Sequence, residues 1–499
     1  MTRLSDEQVD RIARELAGRL GLVGAAAPPG AGPTAPVAAA AAVAEPAATS
    51  VAADPPVGQG GIHATVDQGV SAARRAFEEL RGLSLRRRGE IIAAMRAAML
   101  RESENLAQQA AQETRLGRAE HKVLKNRLVT ERTPGPEMLE PSAVSGDHGL
   151  TLTEWAPFGV IGAITPTTNP TSTVICNTIG MVAAGNTVVF NAHPGARRCS
   201  LATVRLLNRA AESVGAPPDL VTAVAEPTIE TATALMQHAG INLLVVTGGP
   251  GVVKAAMNSG KRAVCAGPGN PPVVVDETAD LEKAGRDIVH GAGFDNNIIC
   301  VDEKQVFVTA AAADRLLEAM RAAGAYLASP AEVGRIQRHV FEELPPPRRH
   351  GRINKQFVGK NAGVILAAAG IDPGRDVPLV VAEVPEDHPL VWSEQLMPVL
   401  PVVRVSHVAR AIKLAKESEH GFGHSAAMHS HDIQALSSMA REINTSIFVK
   451  NGPIIAGLGA GGEGYCSYTI ASPTGEGMTS PRSFSRQRRC VMVDHFRIV

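Results

Sequence analysis

Aromatic side chains are scarce. Phe, Tyr and Trp together make up 3% of the 499 residues, which leaves few rings on which nucleobases could stack. No charge is in excess either: Lys plus Arg and Asp plus Glu both number 49, so no long-range field favours a polyanion. Nucleic acid is therefore not an expected partner. Long apolar runs are missing too. The nearest, from Ala35 to Ala48, is mostly alanine broken by Glu45 and Pro46 and falls short of the roughly 20 residues needed to cross a bilayer, so a soluble protein without a membrane partner is expected. The six cysteines, at 176, 199, 265, 300, 466 and 490, contain no CxxC pair, and no secretory signal precedes them. They read as reduced intracellular thiols without a zinc site. GxGxxG is absent. What remains is the composition of an ordinary globular protein, 44% hydrophobic and 20% charged, long enough for two or three domains.

The first twenty residues, MTRLSDEQVDRIARELAGRL, set Leu4, Val9, Ile12, Ala13, Leu16 and Leu20 at helical spacing, with charged residues largely opposite. Ser5 with Gln8 fits a capping box, and Leu4 with Val9 fits the accompanying hydrophobic staple. A short amphipathic helix is expected over 1–20. Residues 21–60 are rich in Ala, Pro and Gly with almost no large apolar side chain, so they read as a flexible tether. A helix on a tether either packs on its own body or docks on a partner. Its acidic residues, Asp6, Glu7, Asp10 and Glu15, argue against a mitochondrial presequence.

Beyond Phe158 the pattern alternates regularly. FGVIGAITP, NTVVFNA, LVTAVA and INLLVVTGG read as strands, separated by amphipathic helical segments such as TSTVICNTIGMVAAG and SLATVRLLNRAAESVG. The expected fold is α/β, a parallel sheet covered on both faces, with ligands at the carboxyl ends of the strands. Three loops fall there: TPTTNPT (Thr165 to Thr171), NAHPGA (Asn191 to Ala196) and TGGPG (Thr247 to Gly251). Each is small, Gly/Pro-rich and ahead of a helix, which suits dinucleotide phosphates on backbone N–H groups, although one such loop alone is more often a tight βα turn. A second alternation starts at Pro272, with a strand at Gln305 to Thr309 and a long helix from Ala311 to Ala328. The arginines at 86 to 88 and the basic run from Arg348 to Lys355 read as solvated faces or loops. His420, His424 and His429 lack the spacing of a helix-borne ligand set, so no metal is expected.

Eight ordered blocks give the sequence a stronger identity: TPTTNPT, VVFNAHPGA, VTGGPGVV, AGPGNPP, GFDNNIICVDEKQVFV, EQLMPVLP, EHGFGHSAAMHS and GGEGYCSYTIASPTGEGMTSPRSFSRQRRCV. From about residue 61 to 499 the chain resembles the aldehyde dehydrogenase superfamily, and within it the CoA-acylating propionaldehyde and acetaldehyde dehydrogenases of bacterial microcompartments. The resemblance implies a Rossmann-type cofactor domain over 61–266, with an oligomerisation hairpin at 141–155. It also implies an α/β catalytic domain over 267–455 and a C-terminal segment and oligomerisation arm over 456–499. Residues 1–20 then look like an encapsulation peptide that docks on microcompartment shell or core proteins. The implied location is cytoplasmic, in the microcompartment lumen, and the implied state a homo-oligomer.

By the same resemblance Cys300 is the nucleophile, whereas a lone cysteine near a strand would otherwise read as an inert buried residue. Its thiolate adds to an aldehyde, hydride leaves for NAD, and a thioester remains. The oxyanion donors implied are the Cys300 N–H and a side chain of TPTTNPT. Hydrolytic relatives carry that asparagine at the third position of Pro-x-Asn-x-Pro, whereas Asn169 here is fourth after Pro166, so Asn169 and Thr168 are both candidates. Thr165, Pro166, Thr167, Gly248 and Gly249 are expected at the cofactor. His193 and Gly195 are expected by the adenosine ribose, where hydrolytic relatives carry Lys and Glu; without that pair the residues leave NAD and NADP open, and the family implies NAD(H). Glu394 is expected on the nicotinamide ribose with Leu396 beside the ring. Hydrolytic relatives activate water with a glutamate in Glu-Leu-Gly-Gly, and the matching segment here is Cys265-Ala266-Gly267-Pro268-Gly269-Asn270. With a thiol in the glutamate's place, thiolysis by coenzyme A is expected, since a thiolate needs no such base. Cys265 is then either a resolving thiol or a small residue that leaves room for CoA. The alternatives to a CoA-acylating enzyme acting on a short aldehyde, propionaldehyde before acetaldehyde, are a hydrolytic dehydrogenase and an inactive cargo or scaffold protein.

Overall fold

The valine-rich runs lie at the centre of two parallel sheets in the computed structural model, which describes residues 57–499. The first sheet has six strands in the order Ile62–His63, Val221–Val224, Thr187–Asn191, Val160–Ile164, Leu243–Thr247 and Ala263–Ala266, all parallel. Its central strands, Val160–Ile164, Thr187–Asn191 and Val221–Val224, are buried at every residue. That is why they read as continuous apolar runs rather than alternating ones. The intervening helices Pro170–Ala183, Arg197–Glu212, Ile229–Gln237 and Pro250–Met257 supply the crossovers. The helix expected over 1–20 and nearly all of the tether expected over 21–60 lie outside the described residues.

A short link separates Ala266 from Pro272, the first residue of a second parallel sheet. Its seven strands run in the order Tyr326–Ala328, Val380–Glu383, Val399–Val405, Gln305–Thr309, Pro272–Val275, Ser425–His429 and Ile447–Lys450. The long helix expected from Ala311 to Ala328 is shorter than its alanine content suggests and covers Ala310–Ala322. Gly324, at φ +101°, turns the chain, and Tyr326–Ala328 leaves the helix to pair with Val380–Ala382. Tertiary pairing overrides alanine's helix propensity there.

The third element is an antiparallel sheet of Ser142–Gly146, Gly149–Pro157 and Ser485–Val493, in register from Ser485 opposite Pro157 to Val493 opposite Gly149. The chain's C-terminal strand thereby returns to the hairpin, and all its residues but Ser485 are exposed. Among the described residues no helix is long and apolar enough to cross a membrane.

Candidate active site

In the six-stranded sheet the chain moves from Val160–Ile164 outward through Thr187–Asn191 and Val221–Val224. It then returns to the other side of Val160–Ile164 with Leu243–Thr247. The order reverses between those two strands, and such a switch point opens a crevice at the carboxyl ends. Thr165 to Thr168 leave one strand there, and Gly248 and Gly249 leave the other. Thr165 is buried with no partner for its Oγ1; Pro166 and Thr167 are half-buried. The NAHPGA loop adjoins them, since a Cβ placed on Gly195 would lie 3.4 Å from Thr167 Cγ2. His193 Nδ1 accepts the Gly195 N–H at 3.1 Å. Gly248 N–H donates to Ala266 O at 3.1 Å, and Gly249 precedes helix Pro250–Met257 with open space where a side chain would stand. Small residues, open backbone and a buried unpaired hydroxyl fit an extended dinucleotide.

Cys300 stands in the turn that leads into strand Gln305–Thr309. It is half-buried, whereas Cys176, Cys199, Cys265 and Cys466 are buried and Cys490 is exposed on the antiparallel sheet. The turn that carries it is unusual: Asp295, Asn296 and Asn297 are consecutive left-handed residues, at φ 44°, 57° and 63°. Asp and Asn tolerate that region better than other side chains, yet each such residue costs on the order of 1 kcal/mol or more. The turn persists because it is pinned from every side. The Asp295 N–H donates to His121 Nδ1 at 2.8 Å, Asn296 Nδ2 to Gly359 O and Asn361 Oδ1 at 2.8 Å, and Asn297 Nδ2 to Ala292 O at 2.8 Å and Glu303 O at 2.9 Å. Buried Lys304 folds back to donate to Asn297 O, Asn297 Oδ1 and Ile299 O at 2.9, 2.7 and 3.0 Å. Gly117 has to be glycine, because a Cβ there would sit 2.0 Å from Asp295 Oδ1.

Burial, and then the charge of Glu394, push the Cys300 thiol up to about 12, with Lys304 acting in the opposite direction. Glu394 is half-buried and accepts the Gly269 N–H at 3.3 Å; its own carboxyl is pushed up to about 7 by burial. Gly269 packs against the backbone of Cys300, since a Cβ on it would lie 2.7 Å from Cys300 O and 3.0 Å from His424 Cγ. The two titrations give a prediction. Above pH 7 Glu394 is charged and raises the thiol; below pH 7 it is protonated and that effect fades. Glu394→Gln should therefore raise the rate of iodoacetamide alkylation of Cys300 in cofactor-free enzyme roughly three- to tenfold at pH 8, and little at pH 6. Equal rates at both pH values would show that the carboxylate does not act on the sulfur.

Asn169 precedes helix Pro170–Ala183 in the position where asparagine normally caps the helix, yet it makes no capping hydrogen bond. Its Oδ1 accepts instead from Lys125 Nζ at 2.7 Å, and its Nδ2 donates to Thr168 Oγ1 at 3.2 Å. Lys125 also bonds Asp295 Oδ2, as does Lys122 at 3.1 Å. Asn169, Lys122, Lys125 and Asp295 are all buried.

Sequence reasoning missed these two lysines and His424. Helix Ala119–Arg132 is polar nearly throughout, and nothing in it announces that Lys122 and Lys125 meet a carboxylate some 170 residues away. His424, considered only with the other histidines, is buried beside Gly269 with Nδ1 3.0 Å from Ser425 Oγ and Nε2 unpaired. Burial and Lys304 push it down to about 3, so the ring is neutral. His420 Nε2 bonds Trp392 O at 3.0 Å instead, and His429 ends a core strand. Leu396 is half-buried at φ 54°.

One expectation is corrected. Cys265 neither resolves a thioester nor leaves room for CoA, because strand alternation turns it into the apolar cluster with Leu244, Val246, Val253 and Ala256. Its neighbours toward Gly269 are Ala266 and Gly267, so no carboxylate stands in that segment. The arginines lie as expected: Arg86 is exposed on a helix, and Arg348 is exposed in a loop, where it stacks 5.4 Å over Trp392 and pairs with Glu386 and Glu417; Arg88 donates to Ala183 O at 3.4 Å.

A profile described as the aldehyde dehydrogenase family matches residues 36–465. The chain is 48% identical over 440 residues to the acetylating acetaldehyde dehydrogenase EutE of Salmonella typhimurium, covering 88% of this chain and 94% of that protein. A crystal structure of Rhodopseudomonas palustris propionaldehyde dehydrogenase with bound CoA and an acylated cysteine is similar at TM-score 0.84 and 48% identity, covering 87% of this chain and 99% of that one. A propionaldehyde dehydrogenase from the fucose utilisation microcompartment of Clostridium phytofermentans is similar at TM-score 0.85 and 44% identity, covering 88% and 100%.

Proposed function

The chain belongs to the aldehyde dehydrogenase family, and from that premise we propose that it oxidises a short aliphatic aldehyde, propionaldehyde before acetaldehyde, to the acyl-CoA with NAD as acceptor. One observation carries the choice of CoA over water. The segment that ends in Gly269, packed on the Cys300 backbone, reads Ala266, Gly267, Pro268, Gly269, and it holds no carboxylate to activate water. The structural relative with bound CoA and an acylated cysteine supports the same reading.

Cys300 Sγ adds to the aldehyde carbon, and the oxygen that becomes anionic is met by N–H donors, the Cys300 backbone and Asn169 Nδ2. Thr168 serves as acceptor for the other Asn169 N–H rather than as the donor. Thr165 to Thr167, Gly248, Gly249, His193, Gly195, Glu394 and Leu396 would hold NAD, which would supply the hydride acceptor. Hydride leaves the carbon of the resulting hemithioacetal for that acceptor, taking the C–H electron pair, and the C=O re-forms as a thioester on Cys300. The CoA sulfur then attacks that carbonyl through a second oxyanion at the same donors, and Cys300 departs as thiolate. The unpaired Nε2 of neutral His424 is a hydrogen-bond partner for the incoming sulfur. The test is the product: aldehyde, NAD and CoA should give acyl-CoA, and free carboxylate formed at the same rate would overturn the reading.

The exposed antiparallel sheet suits pairing with further copies of the chain, so a homo-oligomer is proposed. Residues 1–20 are proposed as the encapsulation helix that places the enzyme in a microcompartment lumen, consistent with the microcompartment origin of one relative. Deleting them should leave turnover unchanged and abolish co-purification with shells; retained encapsulation would count against that role.

A further inference from the structure

We propose that Lys125, held by Asp295, is the residue that aims the Asn169 amide at the reacting oxygen, coupling the oxyanion donor to the turn that carries the nucleophile. This rests on the function proposed above and adds to it a positioning residue on a separate helix.

An asparagine amide has one acceptor end and one donor end of nearly equal size, and rotation by half a turn exchanges them. An oxyanion is stabilised only if the donor end faces it. An ammonium carries N–H groups and no acceptor, so whatever faces Lys125 Nζ must be the oxygen. That oxygen is Asn169 Oδ1, at 2.7 Å. Nδ2 therefore points the other way; one of its N–H groups goes to Thr168 Oγ1 at 3.2 Å, and the second is left for substrate. The cost is visible in the fold, since Asn169 gives up the helix cap its position offers.

Lys125 is itself fixed. Its three N–H groups have three acceptors, Asn169 Oδ1, Asp295 Oδ2 and, at 3.5 Å, Thr168 O. Asp295 takes the Arg118 backbone N–H on its other oxygen at 2.6 Å, which leaves the carboxylate no freedom to swing. It lies five residues before Cys300, in the left-handed run. The nucleophile's turn and the oxyanion loop thus share one carboxylate and one ammonium, and neither loop can shift without disturbing the other. A lysine with 1% exposure that served only to neutralise Asp295 would be superfluous, because Lys122 already pairs with the same oxygen.

The test is a double-mutant cycle on the full chain, with steady-state turnover and single-turnover NADH formation as readouts. Asn169→Ala is expected to lower kcat roughly 10²- to 10³-fold, the usual loss for one oxyanion donor. Lys125→Met, which leaves Asp295 paired with Lys122, is expected to lower kcat roughly 10- to 100-fold with KM for aldehyde and CoA within about twofold. The double variant should fall no more than about threefold below Asn169→Ala alone, because an aiming residue has nothing left to aim. Lys125→Gln, which keeps a donor N–H without the charge, should recover part of the loss, and it carries the cycle if Lys125→Met does not fold. Losses that multiply in the double variant, or single Lys125 variants with wild-type kcat, would overturn the proposal. Absence of aldehyde-, NAD- and CoA-dependent turnover in the wild type would instead overturn the function on which it rests.

Discussion

Replacing Cys300 with alanine is expected to lower aldehyde-dependent NADH formation by on the order of 10⁴-fold or more, the scale on which removal of a nucleophile acts, with folding unchanged. The fold should survive because the turn is held by groups other than the sulfur. Lys304 bonds Asn297 and Ile299, and Asn297 bonds Ala292 and Glu303; none of these contacts uses Sγ. No other cysteine is placed to substitute. Cys176, Cys199, Cys265 and Cys466 are buried where Cys300 is partly open, and Cys265 lies within its apolar cluster. Cys490 lies exposed on the antiparallel sheet, opposite Leu152. Mass spectrometry of wild-type protein quenched after aldehyde and NAD should find an acyl adduct on the Cys300 peptide and on no other, and the adduct should vanish in the variant. An adduct on a different cysteine, or undiminished turnover, would remove Cys300 from the role.

How far the chain could be read in advance follows from which forces act locally. The alternation after Phe158 was legible because a strand buried on both faces must be apolar at every position, as Val160–Ile164 and Thr187–Asn191 are. The turn before Cys300 has a local cause of the same kind, since three successive left-handed residues select Asp and Asn. The end of the Ala310–Ala322 helix was not legible, because alanine's preference says nothing about the strand partner waiting at Val380–Ala382. Nor was the direction of Cys265, which depends on strand phase rather than residue type. Lys122 and Lys125 were hidden most completely. A lysine on a polar helix looks solvated until the fold brings Asp295 across to it, and a charge pair made at long sequence separation leaves no periodicity in either segment.

Omitting CoA is expected to stop the wild-type enzyme after one turnover: NADH appears in a burst of about one equivalent per active site, followed by a steady rate at least about 10²-fold below that with CoA. Oxidation and acyl release use different nucleophiles. The first needs only Cys300 and the N–H donors that face the new oxyanion, so it should run at full speed. The second needs something to attack the thioester. Water is a poor nucleophile without a positioned base, and such a base contributes about 10²- to 10⁴-fold. Ala266 and Gly267 offer none, and the Glu394 carboxylate is engaged by the Gly269 N–H. A CoA thiol brings its own nucleophile, because thiol exchange proceeds by thiolate attack on the thioester carbonyl and needs no carboxylate to activate it, and Cys300 is displaced as the leaving thiolate. Adding CoA after the burst should release acyl-CoA equal to the NADH already formed. A CoA-free steady rate matching the CoA rate, with carboxylate as product, would mean that solvent is activated by a group outside the segment 266–269, and thiolysis would no longer describe this site.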